Sequence, residues 1–266
     1  HHERNPDQFL EQATKLANEF YKQGVDAWDA YRHFVIHVTK SNGKLIPCED
    51  LPGNIFKLSQ IFQKFSDVKV VHIVRDPRDV VLSQKNRHLR RKMGGHYVSK
   101  KEALRVWSNY HPFVISRLWR NAISSAINID KKNILTVHFE DLLAKPEEVL
   151  RQICSHIGII FEPNMLKVPQ VGSSTQKDDP SKMGVDAGRS GAWQRGGLSD
   201  AEIAICESVN GDLMQKLNYP LSGKSLALTS KIGYALLLPF KGVLALALNW
   251  NRTKGLLNFL IHRIFK

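Results

Sequence analysis

Apolar side chains recur at helical spacing in the first quarter of the chain. Residues 6–23 place phenylalanine, leucine and alanine three and four positions apart, and residues 53–65 repeat this pattern. Residues 28–40 fit either a further helix or an irregular connection. The beginning of the chain is therefore predicted to be mainly helical.

Two short runs of β-branched and apolar residues interrupt the helical pattern, at 68–76 (VKVVHIVRD) and 133–141 (NILTVHFED). Runs of this length and composition are typical of strands that are buried on both faces, as in a parallel sheet. Helices are predicted over 77–90, 101–126 and 147–157, with a break at Pro112. This alternation predicts an α/β fold with a parallel sheet.

A segment rich in glycine, serine, proline and aspartate follows, from residue 163 to residue 197. Long loops within a compact domain are often functional. Ser199 and Glu202 then form the sequence pattern of a capping box, which predicts a helix from there to about Leu217.

The charge of the chain is concentrated near its end. The 266 residues include 38 Lys and Arg against 25 Asp and Glu, a net charge of +13. No acidic residue follows Asp212, and residues 213–266 carry eight Lys and Arg, so the preceding residues contribute only +5. Such a nearly balanced body is not built to coat nucleic acid, and no nucleic-acid partner is expected.

Three cysteines lie far apart, without the spacing of a metal site or a disulfide framework. The chain also begins without an apolar secretory segment. These features predict a reducing, cytoplasmic location and no bound metal.

The first candidate for binding chemistry is the stretch HIVRDPRDVVLS at 72–83. Arg75 stands at the carboxyl end of the predicted strand, where open α/β sheets bind ligands, and Ser83 follows two helical turns later. A guanidinium and a hydroxyl together suit a phosphate monoester. The alternative is a salt-bridged turn followed by a solvated basic helix, since residues 85–105 carry eight Lys and Arg and one acid.

The second candidate is GRSGAWQRGG at residues 188–197, the glycine-rich loop. Its glycines, which include Gly188 and Gly191, allow backbone N–H groups to approach an anion, and Arg189 and Arg195 add positive charge. Trp193 could lie against a nucleotide base or fill the core. The loop could instead be a linker into the capped helix.

Taken together, these motifs resemble the sulfotransferase family, whose members use 3′-phosphoadenosine 5′-phosphosulfate. The resemblance extends from about Leu51 to Tyr219, with its motifs in the family's order. It implies a P-loop NTPase-like, three-layer fold in which helices flank a parallel sheet. It also implies that the nucleotide's 3′-phosphate is held by Arg75 and Ser83.

The same resemblance assigns further contacts with the nucleotide. The glycine-rich loop, through Gly188, Gly191 and Trp193, would close on the 3′-phosphate, and Phe139 would lie near the adenine. In place of the basic residues that the family carries just before the loop, this chain has Asp186 and Ala187. Either Arg189 or Arg195 would compensate, or the affinity for the nucleotide would be low.

The sequence departs from the family at its beginning. Sulfotransferases have a loop rich in Gly, Ser and Thr after their first strand, which binds the 5′-phosphosulfate at a helix N-terminus. No such loop is recognisable in residues 1–70. The expectation is therefore a sulfotransferase-like domain over 1–221 that lacks its first βα unit.

The resemblance implies in-line transfer of a sulfuryl group to a hydroxyl or amine acceptor, a reaction that needs positioning and charge stabilisation but no metal. Glu49 or a histidine could serve as the base, and the catalytic residues and the acceptor remain open. The alternative from another class is a non-catalytic protein that binds a nucleotide or anion at a membrane surface.

Residues 222–266 lie beyond the resemblance and are predicted to be a basic, apolar helical tail. Ile232–Trp250 contains Lys241 as its single charge, and 256–266 is amphipathic and basic. A basic, apolar segment without acids suits an anionic membrane surface. Packing on the domain and a true membrane span are the alternatives.

Overall fold

The computed structural model describes residues 6–90, 92–93, 96–127, 129, 131–171 and 179–250. The chain forms two compact units, of which the first ends at Ser66 and the second begins at Asp67. The boundary expected at 221/222 falls inside the second unit. The predicted amphipathic stretch at 256–266 lies outside the described residues.

The helices, in chain order, are α1 (Pro6–Lys22), α2 (Ala27–Ser41), α3 (Leu58–Lys64), α4 (Pro77–Asn86), α5 (Lys100–Ser108), α6 (Pro112–Ile127), α7 (Phe139–Ala144), α8 (Pro146–Ile157), α9 (Asp200–Lys216) and α10 (Leu228–Asn249). The strands are β1 (Val70–Val74), β2 (Lys92–Met93), β3 (His96–Tyr97), β4 (Ile134–His138), β5 (Pro169–Gln170) and β6 (Asp179–Met183).

The first unit is helical. Residues 28–40, for which the sequence left two possibilities open, lie in the helix α2. The Asp26 side chain caps this helix, because it accepts hydrogen bonds from the backbone N–H groups of Trp28 (2.8 Å) and Asp29 (3.0 Å). Lys64 of α3 donates to Asp26 (2.5 Å), and this bond is the main cause that lowers the pKa of the aspartate to about 2. The helix predicted over 53–65 is α-helical only from Leu58, after a 3₁₀ turn.

The second unit contains the predicted parallel strand pair. β1 runs beside β4, with Val70 opposite Ile134 and Val74 opposite His138. The strands are shorter than predicted, since Phe139 already begins α7. β1 is also not buried on both faces: Val74 is 1% exposed, whereas Ile73 on the other face is 50% exposed. Within the described residues, the sheet of β1 has two strands.

The predicted helix boundaries in the second unit hold well. α5 ends before Pro112 and α6 begins with it, as the missing N–H of proline requires. Gly158 ends α8 in the left-handed conformation (φ 75°), and the capping box of Ser199 and Glu202 begins α9. The segment predicted as a long loop contains the short antiparallel pair of β5 and β6.

The core of the second unit lies where α6 and α9 pack against the end of β1. Val74 and Trp119 belong to a buried cluster together with Leu213 and Met214 of α9. Apolar side chains of this size gain roughly 1.5–3 kcal/mol each when they are fully buried. Packing of apolar side chains therefore holds the end of β1 in place, independently of its polar contacts.

A polar network joins α4, α9 and the junction between α5 and α6. The Glu202 carboxylate, which is almost fully buried, accepts hydrogen bonds from Lys85 Nζ (2.7 Å), the Tyr110 hydroxyl (2.6 Å) and the Ser199 N–H (2.8 Å). Burial acts to raise the pKa of Glu202, but these hydrogen bonds outweigh it, so the pKa lies below its ordinary value. The carboxylate is therefore more stable in the folded than in the unfolded chain.

Replacing Glu202 by glutamine should lower the free energy of unfolding by about 1–3 kcal/mol at neutral pH, because charged hydrogen bonds are lost from a buried site. A folded-state pKa below the unfolded value of about 4.3 means that this stabilisation is present above that value and lost as the pH falls through the folded-state pKa. Urea unfolding of the two proteins at about pH 7 and about pH 3 tests this expectation.

The exposed Glu148, which is 3.8 Å from Lys145, provides the control. Glu148→Gln should change stability by less than about 0.5 kcal/mol at either pH. A Glu202→Gln deficit that stays the same at both pH values would contradict the role assigned to the carboxylate.

Candidate active site

The carboxyl ends of β1 and β4 bring Arg75 and Phe139 together. Arg75 follows β1 directly and Phe139 follows β4, and the Arg75 guanidinium carbon lies 4.6 Å from the centre of the Phe139 ring. This is a cation–π contact, with part of the guanidinium withdrawn from water. Two side chains that are 64 positions apart in the sequence thus share one edge of the sheet.

The glycine-rich loop packs against this edge. Arg75 Nη2 donates to the backbone carbonyl of Arg189 (2.8 Å). The Asp79 carboxylate is fully buried and accepts from the N–H groups of Gly191 and Trp193, each at 2.9 Å. Gly191 has a φ of 61°, which favours glycine at this turn. The start of α4 therefore fixes the loop by its backbone.

Arg78 fixes the same loop through its tryptophan. Its guanidinium carbon lies 3.9 Å from the centre of the Trp193 ring. Arg78 donates two hydrogen bonds to Asp76 (2.7 and 3.0 Å) and one to Glu207 of α9 (2.8 Å). Burial alone would lower the pKa of Arg78, but the two carboxylates outweigh this effect and raise it, so the side chain stays charged.

The arginines of the loop donate hydrogen bonds mainly to backbone carbonyls. Arg195 donates to the carbonyls of Ser190 (3.2 Å) and Gly188. Arg189 Nη1 donates to the carbonyl of Val171 (3.3 Å), and its Nε lies 3.8 Å from Asp186. The carboxylate of Asp186 also accepts from the N–H of Gly188 (2.9 Å). Asp186 is therefore part of the loop's internal bonding.

Two buried donors remain at the site. Among the described residues, neither Arg75 Nε nor Arg189 Nε has a hydrogen-bond partner. Buried polar atoms without partners are rare in proteins because they lose the hydration they have in water. Arg75 Nε is therefore suited to an anionic ligand, whereas Arg189 Nε already lies 3.8 Å from the carboxylate of Asp186.

The structure places the remaining sequence candidates as follows. Ser83 is half-buried on α4, one helical turn after Asp79, so the two side chains lie on the same side of the helix. Glu49, in the first unit, accepts a hydrogen bond from the Tyr31 hydroxyl (2.5 Å). Burial and Glu49 together raise the pKa of Tyr31 to about 12.

Sequence reasoning missed the part played by Asp79 and Arg78. The alternative interpretation of the motif, a salt-bridged turn, is present in the structure: Arg75 Nη2 lies 3.5 Å from Asp79, and Arg78 pairs with Asp76. These ion pairs support the site rather than replace it. The repeat of Arg and Asp in R-D-P-R-D was the available signal, but the spacing alone does not identify the loop as the partner of Asp79.

Asp79→Ala should release the glycine-rich loop, because the N–H groups of Gly191 and Trp193 lose their acceptor. Amide hydrogen exchange at these two positions should accelerate by at least about tenfold, as expected for the loss of a hydrogen bond to a charged group worth about 1.5–3 kcal/mol. Exchange measured by mass spectrometry on peptides that cover the loop tests this prediction.

Asp212→Ala is the matched control, since Asp212 is an exposed carboxylate in the same unit that pairs with Arg120 (2.5 Å). It should leave exchange in the loop unchanged. Equal acceleration across the whole chain in the Asp79 variant would indicate general destabilisation and would count against a local clamp.

Comparison with known proteins identifies the family of the chain. A sequence model described as the sulfotransferase family matches residues 2–163, which is more than half of the chain. The match thus begins well before Leu51 and ends before the glycine-rich loop. No curated protein matches the chain.

Among solved structures, the chain is similar to the "Sulfotransferase Domain from the Curacin Biosynthetic Pathway", at 16% identity and a TM-score of 0.45. This similarity covers 77% of the present chain and 78% of the other. On the strength of the family match, the chain belongs to the sulfotransferase family.

Proposed function

We propose that the chain binds 3′-phosphoadenosine 5′-phosphosulfate at the edge formed by β1 and β4, and transfers its sulfuryl group to a hydroxyl or amine acceptor. The observation that carries this proposal is the position of Arg75. It stands at the carboxyl end of a parallel strand, between the Phe139 ring and the backbone of the glycine-rich loop.

The hydrogen bonding of Arg75 supports a phosphate ligand. One of its terminal nitrogens donates to the Arg189 carbonyl, while its buried Nε has no partner among the described residues. A phosphate oxygen would accept from Nε in a charge-assisted hydrogen bond, and the hydroxyl of Ser83 would add a neutral one. Arg189 Nε is a second buried donor near the same backbone contact.

The aromatic residues support a nucleotide rather than a simple anion. Phe139 presents a ring beside Arg75, and we assign to it the contact with the adenine. Trp193 has one face covered by Arg78 at 3.9 Å, so its role is to anchor the glycine-rich loop over the phosphate. Gly188, Gly191 and Arg195 belong to that loop and complete the proposed set.

The proposed chemistry is a direct, in-line transfer. The acceptor oxygen or nitrogen forms a bond to sulfur while the bond from sulfur to the 5′-phosphate oxygen breaks. The acceptor's proton passes to a base, and the negative charge that develops on the leaving phosphate needs nearby cations. The transfer conserves the sulfuryl group and requires neither an oxidant nor a reductant.

A P-loop-like, three-layer arrangement around the parallel pair of β1 and β4 is part of the proposal. It is supported by α6 and α9, which pack on the side of β1 that carries Val74. The element expected to bind the 5′-phosphosulfate has no recognisable counterpart in residues 1–70. A cytoplasmic location, as the scattered cysteines suggest, is likewise part of the proposal. Binding of the nucleotide and transfer of sulfate are therefore tested separately.

Binding is tested by calorimetric titration with 3′-phosphoadenosine 5′-phosphate, the product nucleotide. Arg75→Ala should weaken this binding by about 10- to 100-fold, because a charge-assisted hydrogen bond of about 1.5–3 kcal/mol is removed. Titration with adenosine 5′-phosphate, which lacks the 3′-phosphate, should show little difference between the two proteins.

Arg120→Ala is the control, since Arg120 is a partly exposed arginine of the same unit that pairs with Asp212. It should bind the nucleotide as the unchanged protein does. Absence of binding by the folded protein, or an equal affinity after Arg75→Ala, would overturn the proposed site. The protein is also incubated with 3′-phosphoadenosine 5′-phosphosulfate and a panel of acceptors. If it binds the nucleotide but forms no 3′-phosphoadenosine 5′-phosphate, the result would favour the non-catalytic alternative.

A further inference from the structure

The last described helix, α10, has two faces of different character. Within the described part of the chain it is the one helix that is long and apolar enough to cross a membrane. One side of it nevertheless packs against α5 and the junction between α5 and α6 in the second unit. The contacts of these two sides indicate whether the helix crosses a membrane or stays on the domain.

The side that faces the protein is held by polar contacts along its whole length. His111 donates to the carbonyl of Tyr234 near the beginning of α10 (3.0 Å). Lys241, at its middle, donates to the carbonyls of Tyr110 (2.9 Å) and Trp107 (3.2 Å). At its end, the Asn249 side chain bonds to Arg105 (2.9 Å) and Asn109 (3.2 Å).

Lys241 makes the position of α10 specific. Lys241 is 6% exposed, and its ammonium group lies 3.9 Å from the centre of the Trp107 ring, in addition to its two carbonyl partners. Moving the helix away from the protein into hydrocarbon would strip these partners from a charged group, which is costly at the centre of a bilayer. The structure thus favours a helix that stays on its domain over one that crosses the membrane.

The opposite side of α10 is an apolar stripe. Its large side chains recur three or four positions apart, and each is at least 41% exposed. They are Leu228, Ile232, Leu236, Phe240, Val243 and Leu246 on the helix, and Trp250 directly after it. A helical wheel of 100° per residue places all seven on one side, opposite Tyr234 and Lys241. Monomeric soluble proteins rarely expose a continuous patch of this kind.

The charges of the sequence after Asp212 indicate what covers the stripe. No acidic residue follows Asp212, while eight Lys and Arg do; of these, Lys241 is buried against the protein and four follow the helix. Lys231 is exposed on α10 itself. Two copies of the chain that met through this face would bring like charges together, whereas an anionic bilayer would attract them.

We propose that the apolar stripe of α10 is a docking face for an anionic lipid bilayer. The helix lies in the plane of the membrane surface, with the stripe in the boundary between headgroups and acyl chains and with Lys241 on the protein side. The membrane would thereby hold the domain through a helix that does not span it. This inference does not depend on the proposed sulfotransferase reaction.

Flotation of the full chain with vesicles tests the proposal. We expect binding to vesicles of phosphatidylcholine and phosphatidylserine, and weaker binding to phosphatidylcholine alone. The double variant Phe240→Glu and Val243→Glu should lower the partition coefficient by about tenfold or more, because charges replace two apolar groups on the side of the helix that enters the membrane. Lys231→Glu should lower binding to the anionic vesicles alone, by about fivefold or more.

The matched control is Ile160→Glu, which places the same charge at an apolar residue that is 83% exposed elsewhere in the second unit. It should bind vesicles as the unchanged protein does, and thermal melting should show that all variants are folded. Alkaline carbonate should release the bound protein. Retention after carbonate would indicate a span and overturn the in-plane arrangement.

Two further outcomes would also overturn the proposal. One is a failure of the full chain to bind either kind of vesicle, together with a dimer in light scattering that the double variant abolishes. The other is equal vesicle binding by the double variant and the unchanged protein. Because titration with the product nucleotide is a separate measurement, neither outcome bears on the nucleotide site.

Discussion

The burial of Arg78 between two carboxylates is the constraint on which the rest of the site depends. This guanidinium is 1% exposed and is paired with Asp76 at the end of β1 and with Glu207 on α9. If one carboxylate were removed, a buried charge would be left without a partner, and this would destabilise the fold far more than the loss of an exposed ion pair. The end of the strand, the start of α4 and α9 are therefore held in one geometry, and Trp193 rests on the same guanidinium.

Arg75 and Asp79 use this fixed frame in different ways. Each of the two carboxylate oxygens of Asp79 accepts a hydrogen bond from a backbone N–H group of the glycine-rich loop, which positions the loop. Arg75 keeps a buried donor without a partner among the described residues while its other end holds the loop carbonyl. Within one short motif, the acidic residues are structural and one of the two arginines is available for an anion.

The position of α10 also depends on a buried charge that needs partners. Lys241 finds two carbonyls and an aromatic face on the domain, so the helix is bound to the protein on that side. Its apolar residues are then left to face outwards, since a helix cannot bury both sides against a single neighbour. Packing on the domain and association with a membrane, which are alternatives from the sequence, are therefore compatible with each other.

The sequence alone predicts the parallel strands, the break at Pro112, the capping box of α9 and Arg75 at the end of its strand, because each of these follows from local periodicity or from the chemistry of a cap. It did not determine that Phe139 begins a helix, that Ile73 is exposed, or that Asp79 binds the glycine-rich loop. Those features depend on contacts between residues far apart in the chain, such as the 112 positions that separate Asp79 from Gly191. The local sequence shows which polar groups need partners, but the partners themselves come from distant parts of the chain that meet only in the folded protein.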